Sequence, residues 1–313
     1  MTVTTAANDE RRTEPPAPRR RGAASRRVQY RAAPLILGGT SIVLFLVFFV
    51  WPGSLGLIYS FTDYTGIGDF QFVGTENYEK LFSDPTFYQA LTRTLLFAAL
   101  SVPLMYVVSL TIATLLVSNY TKGKTAAKII FFFPWLISPI VAGVIWRWMF
   151  GESFGFVNYV ITTLGADPLA WQTDADLALM VVVMAATWGG TAFNMLLFIA
   201  ALKNVPRSYY EAAEIDGAGG WQRFRHITLP SIAPTSFMVV LLSSLGAMKE
   251  FAMVQSLNGG GPGTSNTFLI QYIYETGFER ADIGYASAVS MILLVILMSI
   301  ALLQLWINRR RTA

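Results

Sequence analysis

Six stretches of this chain run for 18 to 28 residues without one charged side chain: 35–62, 94–121, 129–146, 177–202, 227–248 and 283–308. About 20 helical residues cross the roughly 30 Å of hydrocarbon in a bilayer, so each stretch can span one. Water is absent there, and only helices and closed barrels satisfy their own backbone. Ten-residue alternating segments are missing, and every stretch is too long for one barrel strand. The chain therefore reads as all-α and integral to the membrane, with six transmembrane helices. Composition agrees: 54% of the 313 residues are hydrophobic and 13% charged, the latter about half the usual fraction of a soluble domain.

Orientation follows from the basic residues, because Lys and Arg near span ends stay cytoplasmic. Eight precede the first stretch, three lie in the second loop (Lys122, Lys124, Lys128), four in the fourth (Lys203, Arg207, Arg223, Arg225) and three in the tail (Arg309, Arg310, Arg311). The other three loops share the remaining five and carry 13 of the 19 acids. Both termini are thus expected in the cytoplasm of a multi-pass protein of the inner (plasma) membrane. The net charge of +4 reads as a topology signal, and no basic face interleaved with aromatics points to nucleic acid. The absence of cysteine excludes disulfides, thiolate metal sites and a cysteine nucleophile.

Residues 1–34, with "RRTEPPAPRRRGAASRR", lack an apolar period and read as a disordered basic cytoplasmic tail. The apolar run behind them far exceeds the usual core of about 7–15 residues in an export signal. It reads as a retained first helix. The expected organisation is that tail, a six-helix membrane domain over 35–308 and a short cytoplasmic tail over 309–313.

Pro52 and Gly53 predict a kink near the outer end of the first span. Asp84-Pro85 predicts a helix start, whose Phe87, Tyr88 and Leu91 side leads from an external amphipathic segment into the second span. Pro103, Pro134 and Pro139, with Gly189 and Gly190, interrupt the second, third and fourth spans. Bends of this kind shape cavities in transporters, although Gly and Pro are also commoner in membrane helices generally. The glycine-rich 258–268, "NGGGPGTSNTF", lacks the lysine and hydroxyl of a phosphate loop and reads as a flexible outer hairpin.

Loop four, 203–230, is polar and glycine-broken between two apolar stretches. Ser208 and Glu211 match a capping box that starts a helix, and "DGAGG" (216–220) stops it. A second short segment, 221–228, then turns through Leu229-Pro230 into the fifth span. Ala212 and Ala213 leave a shallow face for a partner's groove, and Glu211 and Asp216 offer acceptors to basic groups. Arg223, Phe224 and Arg225 suit anchorage at lipid headgroups or on the protein's own underside. The same residues also suit an ordinary interfacial helix.

The stretch "EAAEIDGAGGWQRFRHITLP" resembles the EAA motif in the membrane subunits of binding-protein-dependent ABC importers. Glu211, Ala212, Ala213, Asp216, Gly217, Ala218, Phe224, Ile227, Leu229 and Pro230 fall on its pattern. "FVGTENYEKLFSDPTFYQALTRTL" and "GGGPGTSNTFLIQYIYETGF" are similar to the corresponding segments of maltose- and glycerol-phosphate-type permeases. The resemblance covers about 35–308.

It implies the type I ABC importer permease fold, with loop four as the coupling helix seated in a separate ATPase subunit. Glu211 would pair with a base of that ATPase, Ala212 and Ala213 would form the contact face, and Gly217 the turn, with Asp216 and Ala218 beside it. It also implies a substrate path midway across the membrane, lined by Trp188, Gly189, Gly190, Phe193 and Asn194 before the loop and by Ser243, Gly246 and Glu250 after it. The polar groups would bind hydroxyls and the aromatics would stack on a sugar face. Intramembrane Asn and Ser also commonly just join helices.

The implied function is half of the path of an ATP-driven importer for a sugar or related polyol. Its partners would be a second, unlike permease, two ATPase subunits and an extracytoplasmic sugar-binding protein. No cofactor is expected on this chain, with ATP and Mg on the ATPase, and it is not expected to be an enzyme. An ion-coupled secondary transporter is the alternative, but it would need ionisable groups within the spans, and the uncharged runs hold none at mid-depth. An intramembrane enzyme would need a paired Asp, a Ser-His pair or HExxH, and none occurs in or near a span. The lone histidine, His226, falls at the expected cytoplasmic interface.

Overall fold

The computed structural model describes residues 35–118 and 122–312. The expected disordered tail, 1–34, lies outside the described residues, as does the end of the second apolar run. The chain divides into two units, one through Leu55 and one from Gly56. In the first unit, the helix α1 (Leu35–Tyr59) begins, and the large apolar residues from Leu35 to Trp51 are exposed. Hydrocarbon is the solvent that tolerates such a surface. A π-helical turn at Leu46–Val50 falls just before Pro52, where the missing N–H prevents a regular helical bond.

The second unit continues with α2 (Glu76–Ser83), α3 (Pro85–Val117), α4 (Lys124–Phe132), α5 (Pro139–Met149), α6 (Phe156–Thr163) and α7 (Ala175–Lys203). After them come α8 (Arg207–Ile215), α9 (Gly220–Ser231), α10 (Ala233–Ala247), α11 (Ala252–Leu257), α12 (Leu269–Tyr274) and α13 (Ile283–Thr312). Among the described residues no strand forms, and Thr62 and Phe72 make one isolated bridge. Among the described residues four helices, α1, α3, α7 and α13, are long and apolar enough to cross a membrane, and the number is six when each of two bent pairs is counted as one span. Residues 309–312, expected as a tail, continue α13.

α7 is the centre of this unit: 56% of its apolar window is buried, against 33% for α3 and 28% for α13. It packs along α3, where Phe97, Val182 and Ala185 meet near one end and Leu110, Met195 and Phe198 near the other. Gly189 and Gly190 do not interrupt α7, and Pro103 does not stop α3. Lateral packing holds both helices through residues that propensity alone would count against them.

The third apolar run is broken outright. Its first part, Lys124–Leu136, ends in a 3-10 turn at Phe133–Leu136 and meets α5 at 102°. Pro134 and Pro139 explain the break, since neither donates a backbone bond and each restricts the residue before it. The fifth run also bends, by 70°, between Gly220–Ser231 and Ala233–Ala247. That bend falls at Ile232, beyond the expected turn at Leu229-Pro230, because a π-helical segment at Phe224–Thr228 carries the chain through.

The connections are tied down by buried polar groups. Asn158, 4% exposed, donates to the carbonyls of Glu152 and Leu169 and accepts from Leu169 N and Trp171 Nε1 at 2.9–3.1 Å. All its bonding capacity is used, as burial of an amide requires. The glycine-rich 258–268 is packed rather than a flexible hairpin. Asn266 is fully buried and donates to the Ala175 carbonyl at 2.7 Å, and the Phe268 ring lies tilted against Phe97 at 4.8 Å.

At the start of α3, Asp84 caps the helix through Thr86 N at 2.8 Å, as Asp84-Pro85 predicts. Its second oxygen accepts from Tyr285 at 2.8 Å and also from Tyr272. Lys80 covers the Tyr285 ring at 4.2 Å and pairs with Asp282 at 2.8 Å. Burial and Asp84 push the Tyr272 hydroxyl up to about 12, so it remains a donor. Burial works to raise Asp84, but the bonds from Tyr272, Tyr285 and Thr86 outweigh it and hold the carboxyl below its ordinary 3.8. The resulting stability is complete above that value and lost as pH falls below it. Asp84→Asn is expected to lower the thermal midpoint by a constant amount between pH 8 and 5, with the gap closing below about pH 4. An unchanged gap at pH 3 in detergent denaturation would exclude the ionised clamp.

Candidate functional site

The breaks and small residues converge on one cavity of about 680 Å³. α3 contributes Phe97, Ser101 and Met105, and the broken third run contributes Trp135, Ile137 and Ala142. Trp188, Gly189, Gly190, Phe193 and Asn194 from α7 line it, as do Ser243 and Gly246 from α10 and Glu250 just beyond. Every residue expected on the substrate path by resemblance thus lies on one wall system.

The chemistry is mixed. Trp135 stacks on Phe193 at 4.9 Å and 22°, and Trp188 lies 6.1 Å from Trp146. Asn194, 4% exposed, donates to Ser243 Oγ at 3.0 Å, and Ser243 points in turn to Met105 sulfur at 3.5 Å. Ser101 is fully buried and its hydroxyl has no partner. The Glu250 carboxylate accepts from Met253 N at 3.3 Å. Burial raises its pKa, offset in part by the backbone N–H groups of Met253 and Phe251. Gly190 is glycine for a reason of space, since a Cβ there would meet the Met105 side chain.

Sequence reading did not single out Ser101, Met105 or Trp135. Trp135 had a signal, lying between the two prolines that break the third run. Ser101 and Met105 had none, because α3 gives no periodic polar pattern that separates the cavity face from the other faces.

The second element is the knob formed by α8 and α9. Pro206, in extended conformation, occupies the cap of α8, which starts at Arg207, so Ser208 lies inside the helix and no capping box forms. The fixed φ and missing N–H of Pro206 set the start two residues earlier than Ser208 would. Glu211 is therefore left exposed on α8, beside exposed Ala212 and half-buried Ala213. Gly217 has φ +75°, a conformation glycine adopts without a Cβ penalty, and Asp216 and Ala218 flank it in the turn. Arg223, expected at lipid headgroups or the protein's own underside, pairs with Glu214 across the knob. Its charge finds a nearer acid on the other limb.

Tyr210 and Thr228 join the two limbs by a hydroxyl bond of 2.9 Å. Tyr210, Phe224, Ile227 and Leu229 root the knob in the core around Phe198 and Leu110. His226, exposed, has its ring nitrogen 3.0 Å from the Gln222 carbonyl. The outer surface keeps Ile215 88% and Trp221 71% exposed, a large apolar display on a polar loop.

Residues 82–313 match the family described as "Binding-protein-dependent transport system inner membrane component". The chain is 35% identical over 277 residues to the arabinooligosaccharides transport system permease protein AraP of Bacillus subtilis (strain 168), covering 88% of each chain. It is 32% identical over 275 residues to the sn-glycerol-3-phosphate transport system permease protein UgpA of Agrobacterium fabrum (strain C58 / ATCC 33970), covering 87% of this chain and 92% of that one. Its fold is similar to a chain of a bacterial alginate ABC transporter solved in complex with alginate pentasaccharide-bound periplasmic protein. The TM-score is 0.81 at 23% identity, over 92% of this chain and 97% of that one.

Ser243→Ala would leave the buried Asn194 amide without its acceptor, at an expected cost of about 1 kcal/mol. A lower thermal midpoint in detergent, restored by Ser243→Thr, is the expected result. Equal midpoints for wild type and Ser243→Ala would show that the bond carries nothing.

Proposed function

The chain belongs to the family of binding-protein-dependent transport system inner membrane components, and on that premise we propose which of its parts carry substrate and which take up motion. It is a permease subunit of an ABC importer, a transport component and not an enzyme, and that membership removes the ion-coupled alternative. The cavity between α3, α7, α10 and the broken third run is this subunit's share of the substrate path, and a second, unlike permease supplies the facing half. The substrate is a saccharide or related polyol, in keeping with the names of the similar permeases and with the hydroxyl-binding and aromatic groups on the wall.

The knob is the coupling helix. It docks in one of two ATPase subunits, which bind the ATP and Mg, while an extracytoplasmic sugar-binding protein delivers substrate at the other face. One observation carries this reading: a polar loop with Ile215 and Trp221 largely exposed is braced internally by Tyr210–Thr228 and Glu214–Arg223. A solvated surface loop needs neither the bracing nor the exposed apolar groups. Glu211 supplies the acid for a basic group on the ATPase, Ala212 and Ala213 permit close approach, and Asp216, Gly217 and Ala218 hold the turn. The Lys and Arg distribution supports placing this loop and both termini on the cytoplasmic side.

Glu211→Lys and Gly217→Asp are expected to leave the complex assembled in the membrane while uptake falls at least tenfold and ATP hydrolysis no longer responds to loaded binding protein. The measurement is uptake in vesicles alongside ATPase turnover of the purified complex. Uptake at the wild-type rate in either variant would overturn the coupling assignment.

A further inference from the structure

The charge on the cavity wall separates two kinds of substrate that the fold alone does not. Among the described residues that line it, none is Lys, Arg or His, and the single ionisable side chain is Glu250. Lys249 is adjacent in sequence but is not part of the wall. Glu250 makes no ion pair among those of the described residues; its oxygen is met by a backbone N–H. A phosphate ester or a uronic acid brings at least one full negative charge, and a site for it needs a cation or several convergent charge-assisted donors. Here the ionised carboxylate would repel that charge, and the protonated form would offer a single donor. Neither state neutralises an anion.

The rest of the wall suits hydroxyl groups. Asn194 and Ser243 stand joined at 3.0 Å on the neighbouring helices, and a carboxylate such as Glu250 accepts readily from hydroxyls. The Trp135–Phe193 stack offers a flat apolar face for the C–H side of a pyranose or furanose ring.

We infer that this subunit's wall of the cavity is built for an uncharged saccharide and disfavours phosphorylated and uronic-acid substrates, with Glu250 setting the charge preference. This rests on reading the cavity as the substrate path. It narrows that reading, because the permeases similar to this chain include one named for a neutral oligosaccharide and one for a phosphate ester.

The test uses the purified importer with both permeases and the ATPase in nanodiscs. Saturation-transfer difference NMR is recorded with arabinotriose and maltotriose as neutral probes, and with sn-glycerol 3-phosphate and trigalacturonate as anionic ones. At least one neutral probe is expected to bind ten times or more tightly than either anion. Glu250→Lys is expected to raise trigalacturonate affinity at least tenfold. If Glu250→Lys does not assemble, Glu250→Gln replaces it, with the gap between neutral and anionic probes expected to narrow. An anion that binds the wild type as well as the neutral probes, or a cavity that binds none of the four, overturns the inference. Failure of the permease reading would show separately, as loss of ATPase co-purification and of hydrolysis stimulated by binding protein.

Discussion

A helix that breaks within hydrocarbon must find other partners for the backbone groups it frees, and this requirement organises the structure. The third apolar run breaks at 102° between Leu136 and Pro139. Two prolines at the break remove donors that would otherwise go unpaired, and Pro134, Trp135, Ile137 and Pro139 at the break line the cavity. Trp135, carried on that irregular turn, reaches Phe193 of α7 because a straight helix does not fix its direction. The long helices α3 and α7 supply the regular walls against which such a break is tolerable.

The asymmetry between rigid and irregular parts runs through the whole second unit. α7 is continuous across Gly189 and Gly190, so its glycines make a close surface instead of a bend. At Gly190 that surface admits Met105. α5 and α11 come equally close, since a Cβ on Gly143 would meet the Ser256 side chain and the Met253 carbonyl. Small residues thus bring backbones together where van der Waals packing, rather than exclusion of water, drives association in lipid.

Much of this was legible in the sequence, and for identifiable reasons. The absence of charge over long runs is unambiguous, so six crossings could be assigned; Asp84-Pro85 marked its helix start because a cap and an N1 proline act locally. The EAA stretch placed the knob, and matching distances from it placed Asn194 and Ser243 on facing helices. Tertiary effects were illegible. Ser208 looks like a cap in isolation, but Pro206 had already fixed the start of α8. The glycine-rich 258–268 looks free until Asn266 finds the Ala175 carbonyl from a segment 91 residues away. Ser101 resembles any membrane-helix serine, and only the packing of neighbours reveals that its hydroxyl is buried without a partner.

The Asp84, Tyr272 and Tyr285 cluster joins the beginning of α3 to α12 and α13. The knob is rooted near the other end of the same helix, beside Leu110 and Leu116, some 25 residues and about 40 Å along its axis. With one extremity pinned, a push on the knob cannot slide α3 lengthwise. It swings the helix about the pin, and the displacement grows with distance from that fulcrum, so Ser101 and Met105 travel roughly two-thirds to four-fifths as far as the knob's root does.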